Sequence, residues 1–196
     1  MRDAPKIAPD DGKLAELTLY VAAKCGLDQH YGVLKLNKIL FYADFTAFKV
    51  HGRSITGAQY RKYPHGPAPA CMKYLRHKLV DNHDAYEYLN PLPAVNADGE
   101  PIAEKRLLAI KKPELDAFTP EQIAIVDSMI EWLRPLTGHQ ASELSHRHPG
   151  WRLAGMEEEI PYCSALIPDE QGPLSAADFK RASAVAERFE SGAIQA

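Results

Sequence analysis

Three cysteines in 196 residues are too few, and odd in number, for a disulfide framework. Cys25, Cys71 and Cys163 stand far apart and form no C-x-x-C pair, which excludes a zinc ribbon and fits a reducing compartment. Nowhere do about 18 apolar residues run together, so no segment is expected to span a membrane. The opening stretch MRDAPKIAPDDGK has no apolar run and does not read as a signal peptide, so a cytoplasmic location is expected. No G-x-G-x-x-G or Walker pattern is present to cradle a nucleotide phosphate, and no H-E-x-x-H to hold zinc. An excess of positive charge is missing too. The 23 basic and 26 acidic residues leave a formal net charge of −3, so no global cationic field recruits nucleic acid.

What is there reads as a soluble globular chain, 45% apolar and 25% charged, long enough to bury a core in one domain without metal or disulfides. Residues 1–11, with two prolines, read as a flexible arm, 12–170 as the domain, and 171–196 as a C-terminal helix and tail. Asp10 or Asp11 caps a first helix over about 12–25, striped by Leu14, Leu17 and Val21, with Gly26 placed to end it. A second helix over 33–50 carries Leu36, Ile39, Leu40, Ala43 and Ala47 on one face, and Phe41, Tyr42, Phe45 and Phe48 widen its apolar girth. Such a helix belongs at the centre, contacted from several sides, and His51-Gly52 stops it.

The next stretch, RSITGAQYRKYPHGPAP, favours extended backbone, with Gly57 permitting a bend. Pro69 suits the first turn of a third helix that turns Met72, Leu75 and Leu79 inward and Lys73, Arg76 and Lys78 outward. Residues 84–112 read as two strands about an Asp98-Gly99 turn, shortened or edge-placed by Pro91, Pro93 and Pro101. Thr119, Pro120 and Gln122 form a capping box for a helix through Ile123, Val126, Ile130 and Leu133 to Thr137-Gly138, and a short helix follows over about 139–145. From His148-Pro149-Gly150 to Pro173 the chain reads as irregular. A last helix, capped by Ser175, buries Phe179, Ala182, Ala186 and Phe189. The expected fold class is α+β: a mainly helical single domain with a small antiparallel sheet or hairpin.

The residues offer several chemistries. His139, His146 and His148 gather near Glu143, and Glu143 and His146 are three apart, but no second such pair completes a metal set. No cysteine or serine sits in a nucleophile motif, although Ser145 or Cys163 with His146 is a pairing that folding could assemble. Neither cofactor nor metal is therefore expected. Lys49, Arg53, Arg61, Lys62, Lys73, Arg76 and Lys78, interleaved with Tyr60, Tyr63 and Tyr74, offer a cationic aromatic surface for DNA, set against the acidic overall balance. The same residue types dominate protein interfaces, and the stiff segment YRKYPHGPAP loses little entropy on docking. Arg53, Tyr60, Arg61, Tyr63, His65, Pro67, Tyr74 and Arg76 are the candidate partner-binding residues. The alternative for the tyrosines and prolines is packing of the loop onto the second helix.

Four stretches, LKLNKILFYADF, GRSITGAQYRKYPHGPAP, LSH followed by Trp151, and IPY at 160–162, occur together in this order. In this the chain resembles the Panacea domain, the SocA-like antitoxin family also described as phage-associated, over about 14–165. The matching positions are Leu36, Lys38, Leu40, Tyr42 and Ala43; Arg53, Ile55, Thr56 and Gly57; and Tyr63, Gly66, Pro67, Ser145, His146 and Trp151. Asn37 and His65 depart from the residues more usual in the family. The resemblance implies a non-catalytic antitoxin that neutralises a cognate toxin, encoded by the adjacent gene, through direct protein contact. It further implies an adaptor role in delivering the toxin to the ClpXP protease. Most matching residues are expected to define the fold, and the tyrosines and bases of 60–69 to lie on or beside the toxin-facing surface. A DNA-binding autoregulator and a hydrolase built on His146 are the competing readings.

Overall fold

The computed structural model describes residues 8–90, 94–95, 101–168 and 176–191. Helix α1, Asp11–Lys24, starts where the Asp10 carboxylate accepts the amide of Lys13 at 2.9 Å, and Leu14, Leu17 and Val21 are buried as their spacing requires. Helix α2, Val33–His51, ends at Gly52 in the left-handed conformation. Twelve of its 19 residues are buried, so α2 is the axis of the molecule. Helices α1, α4 (Pro120–Leu133) and α5 (Gly138–His146) pack around it, and one continuous core joins Leu17, Leu36, Leu40, Phe41, Val126, Leu133 and Ala141.

The capping box at Thr119 forms as expected, Gln122 donating its amide to the Thr119 hydroxyl and accepting in return. A second box, Thr137 with Gln140, opens α5; the helix before it therefore stops at Leu133 rather than running on to Thr137-Gly138. Chain expected to be irregular after His148 instead forms α6, Pro149–Leu153, and a 3₁₀ turn, Tyr162–Leu166. The signal for α6 was present: Pro149 suits the first helical position, and the His148 ring accepts the amide of Gly150.

Strands are short. β1 (Tyr60–Arg61) pairs antiparallel with β2 (Ala68–Pro69), Tyr60 opposite Pro69. Pro69 thus closes a strand, and α3 begins later, at Met72 (Met72–Asp81). Proline is tolerated there because a strand end needs no further donor. β3 (Ala85–Leu89) pairs antiparallel with β6 (Lys105–Ala109), and between them in sequence β4 (Ala94–Val95) pairs antiparallel with β5 (Pro101–Ile102). The Asp98-Gly99 turn lies outside the described residues, as do the Ser175 cap and the side chains of Phe179 and Phe189. Helix α7, Ala176–Glu190, buries Ala182 and Ala186 against Phe48, Cys163 and Ile167 in a separate small cluster.

Buried polar side chains tie these elements together. Lys35, 1% exposed, donates to Asp28 at 2.9 Å and to the Arg134 carbonyl. Arg106 donates to the carbonyls of Gly26 and Asp28 and lies over Tyr31 and Tyr88. Glu104 lies against both Gly32 and Gly138, at the starts of α2 and α5, where helix dipoles favour a carboxylate. Burial raises its pKa, partly offset by the Leu34 amide.

Candidate functional site

Segment 55–69 is bound to the central helix by one residue the sequence reading passed over. Asp44, fully buried on α2, accepts the amides of Ile55 and Thr56 on Oδ1 and the hydroxyls of Thr56 and Tyr60 on Oδ2, all within 2.6–2.8 Å. Burial drives its pKa up, while those four donors pull the other way. Gly57 turns the chain at φ 68° before Tyr60.

β1 is then flanked on both sides. β2 lies along one edge. On the other, residues 157–160 exchange backbone bonds with it, through Lys62 to Glu158, Glu157 to Lys62 and Ile160 to Tyr60. Tyr162 closes the site by donating to the Ala58 carbonyl at 2.7 Å. Beneath lie the rings of Phe41, Phe45, Tyr60, Tyr162 and His148 in mutual edge and tilted contact. His148 is neutral: burial, with Lys49 nearby, lowers its pKa to about 3.

The motif residues from the two halves of the chain meet at Gly66, beside Lys38 of α2 and Ser145 of α5. Gly66 follows a turn in which its amide donates to the Tyr63 carbonyl, and it holds φ 88°. A β-carbon there would stand 2.3 Å from Ser145 Oγ, 2.7 Å from Lys38 Cε and 2.9 Å from Lys38 Nζ. Only glycine fits, for lack of space and for its backbone angle. Lys38, 1% exposed, donates to the Pro67 carbonyl at 3.0 Å, its one acceptor among the described residues. Desolvation lowers its pKa to about 7. Ser145, also buried, donates to the Ser142 carbonyl at 2.6 Å.

His146 stacks on Trp151 with centroids 4.0 Å apart, while Lys62 Nζ lies 4.1 Å from the Trp151 ring centroid. Trp151 Nε1 faces the Tyr63 carbonyl at 3.4 Å, and Lys62 donates to the Ala154 carbonyl. His146 Nδ1 is 3.3 Å from Glu143, and its Nε2 is buried with no partner among the described residues. Burial, and the charges of Lys38, His65 and Lys62, lower its pKa.

These positions redistribute the candidate residues. Leu36, Lys38, Leu40, Thr56, Gly57, Gly66, Ser145 and Pro67 are buried, and Tyr42 and Trp151 half-buried. Tyr60, offered for partner contact, is 1% exposed with its hydroxyl on Asp44, and so supports the segment from below. Arg76, expected to point outward, is only 11% exposed at its side chain because it pairs with Glu87 on β3. Arg61 and Tyr63 are half-buried; Arg53, His65 and Tyr74 are exposed. Ser145 and His146 are adjacent, yet Ser145 is occupied by a backbone carbonyl and shut off from solvent, which is no arrangement for a nucleophile. Among the described residues no group of three or more His, Cys, Asp or Glu is placed to hold a metal ion, and no helix is long and apolar enough to cross a membrane.

Residues 36–152, more than half of the chain, match a protein-family model described as antitoxin SocA-like, Panacea domain. No curated protein and no solved structure matches the chain.

Proposed function

The chain belongs to the SocA-like antitoxin family of Panacea domains, and on that premise we propose that it neutralises a small protein toxin by covering it directly. The observation that carries this reading is how the motif residues are employed. Lys38, Asp44, Thr56, Gly66, Ser145 and Trp151 spend their polar groups and their space on one another and on backbone carbonyls. They hold segment 55–69 and the α5–α6 corner rigidly against α2. A rigid scaffold of this kind presents a preformed surface and lowers the entropic cost of association.

We extend the proposal to delivery: the captured toxin is handed to the ClpXP protease, and the protein works in the cytoplasm. Expression of the adjacent gene alone is expected to arrest growth, and co-expression with this chain to restore it. Toxin half-life, compared with and without the protease, reads the delivery step. Growth arrest that co-expression leaves in place, with both proteins soluble, refutes the antitoxin reading.

A further inference from the structure

The corner where α5 meets α6 crowds together groups that can carry positive charge. Lys38, from α2, reaches Gly66 with its Cε and Nζ, and Ser145 Oγ meets the same glycine. His146 follows Ser145 on α5, and the charges of Lys38, of His65 on the 63–67 turn and of Lys62 on the chain leading into it all act on its ring. Glu143, on the same helix, is the carboxylate that faces it, 3.3 Å from Nδ1. α6 presents the Trp151 indole.

Protonation leaves both Lys38 and His146 short of acceptors. Glu143 takes the Nδ1 proton of the neutral ring, which leaves Nε2 as a lone pair, buried and without a partner among the described residues. A second proton would sit on Nε2 with nothing there to accept it, which is costly away from water. Lys38 as a neutral amine still donates to the Pro67 carbonyl, so its extra proton is an unmatched donor too. The two charges also oppose each other.

The His146 ring is a mechanical link as well. It stacks on Trp151 at 4.0 Å, Lys62 Nζ lies 4.1 Å from the same indole, and Trp151 Nε1 faces the Tyr63 carbonyl at 3.4 Å. The His146 side chain keeps 21% exposure, so an imidazolium has a way out to solvent. On leaving, it withdraws the support that holds Trp151 against the 63–67 turn.

We propose that the His146–Trp151 stack is a proton-sensitive latch: protonation drives the His146 ring off Trp151 and loosens the 63–67 turn, with Lys38 opposing and Glu143 favouring the proton. The latch works within this chain, whatever partner the chain binds. Burial and the charges of Lys38, His65 and Lys62 lower the pKa of the closed ring below 6.5, while an opened ring regains its ordinary value. Opening therefore takes up a proton and grows as pH falls from 6.5 toward the closed-state pKa.

The test follows the full chain from about pH 8 to about pH 5, the range in which histidine titrates. Proton NMR of the His146 ring gives its midpoint, and hydrogen exchange of residues 60–69, corrected for the intrinsic rate, gives the opening. Protection of 60–69 is expected to fall by up to about tenfold per pH unit below 6.5 and to level off past the His146 midpoint. His146→Gln, checked for folding by circular dichroism, is expected to remove this fall. Lys38→Met is expected to move the His146 midpoint up, and Glu143→Gln, at an exposed position, to move it down. Glu143→Gln keeps the coupling testable should Lys38→Met lose its fold. A midpoint that neither variant moves overturns the latch. So does protection of 60–69 that ignores the His146 titration, or that falls equally in His146→Gln.

Discussion

Replacing Asp44 with alanine strands four donors at once. The hydroxyls of Thr56 and Tyr60 can rotate toward other acceptors, but the amides of Ile55 and Thr56 are fixed by the chain and point into a site with no exposure. A buried donor left unmade costs about 1–3 kcal/mol, so the two amides alone predict a loss of about 2–6 kcal/mol. Against a total stability of about 5–15 kcal/mol, that is enough to unfold a marginal protein. Tyr60→Phe removes a donor together with its need, and should cost only about 1 kcal/mol. Urea unfolding at neutral pH, followed by circular dichroism and fitted with a common slope, measures both. Limited trypsin digestion should also cut Asp44→Ala at Arg61 and Lys62 before global unfolding, because segment 55–69 loses its anchor. A loss under about 1 kcal/mol for Asp44→Ala, with parent-like protection at Arg61, would refute the claim that this carboxylate holds the segment.

Three further outcomes follow from the motif cluster and its neighbours. Gly66→Ala must take a left-handed backbone angle and push aside Ser145 and Lys38; a loss of about 3 kcal/mol in thermal or urea unfolding is expected, and a neutral result contradicts the close approach. Lys38 is protonated in the unfolded chain up to its ordinary pKa of 10.5 but in the folded chain only up to about 7. The unfolded state therefore binds the extra proton between those values, and stability rises with pH across the window; Lys38→Met should flatten that slope by up to about 1.4 kcal/mol per pH unit relative to the parent. For His148 the folded pKa of about 3 lies below the ordinary 6.5, so the unfolded chain takes a proton that the folded chain refuses, and stability falls as pH drops from 6.5 toward 3. His148→Asn, which keeps a capping side chain, should make this acid limb shallower in unfolding measured at several pH values.

Much of the scaffold was legible because its causes are local. Asp10, Thr119 and Gln122 announce helix starts through the hydrogen bonds their side chains can make. The broad apolar girth of 33–50 announces a central helix whatever its neighbours are. Sequence patterning missed α6 and the 3₁₀ turn because both are too short to show a period. It placed Pro69 in a helix because a proline just ahead of an apolar-periodic run also suits a helix start. Arg76 is expected to point outward, and Tyr60 either to meet a partner or to pack on the second helix; Arg76 turns back because the Glu87 carboxylate lies on the neighbouring strand, and Tyr60 packs because Asp44, buried on α2, accepts its hydroxyl.

The order of the residues alone determined where helices begin and which faces are apolar, and it carried the family match, since capping, periodicity and motif spacing are properties of neighbours along the chain. Folding decided that Lys38, Gly66, Ser145 and Trp151, more than a hundred residues apart at their extremes, occupy one site. Those outcomes depend on long-range carboxylates, carbonyls and available volume, and none of these is written at the position of the side chain that meets them.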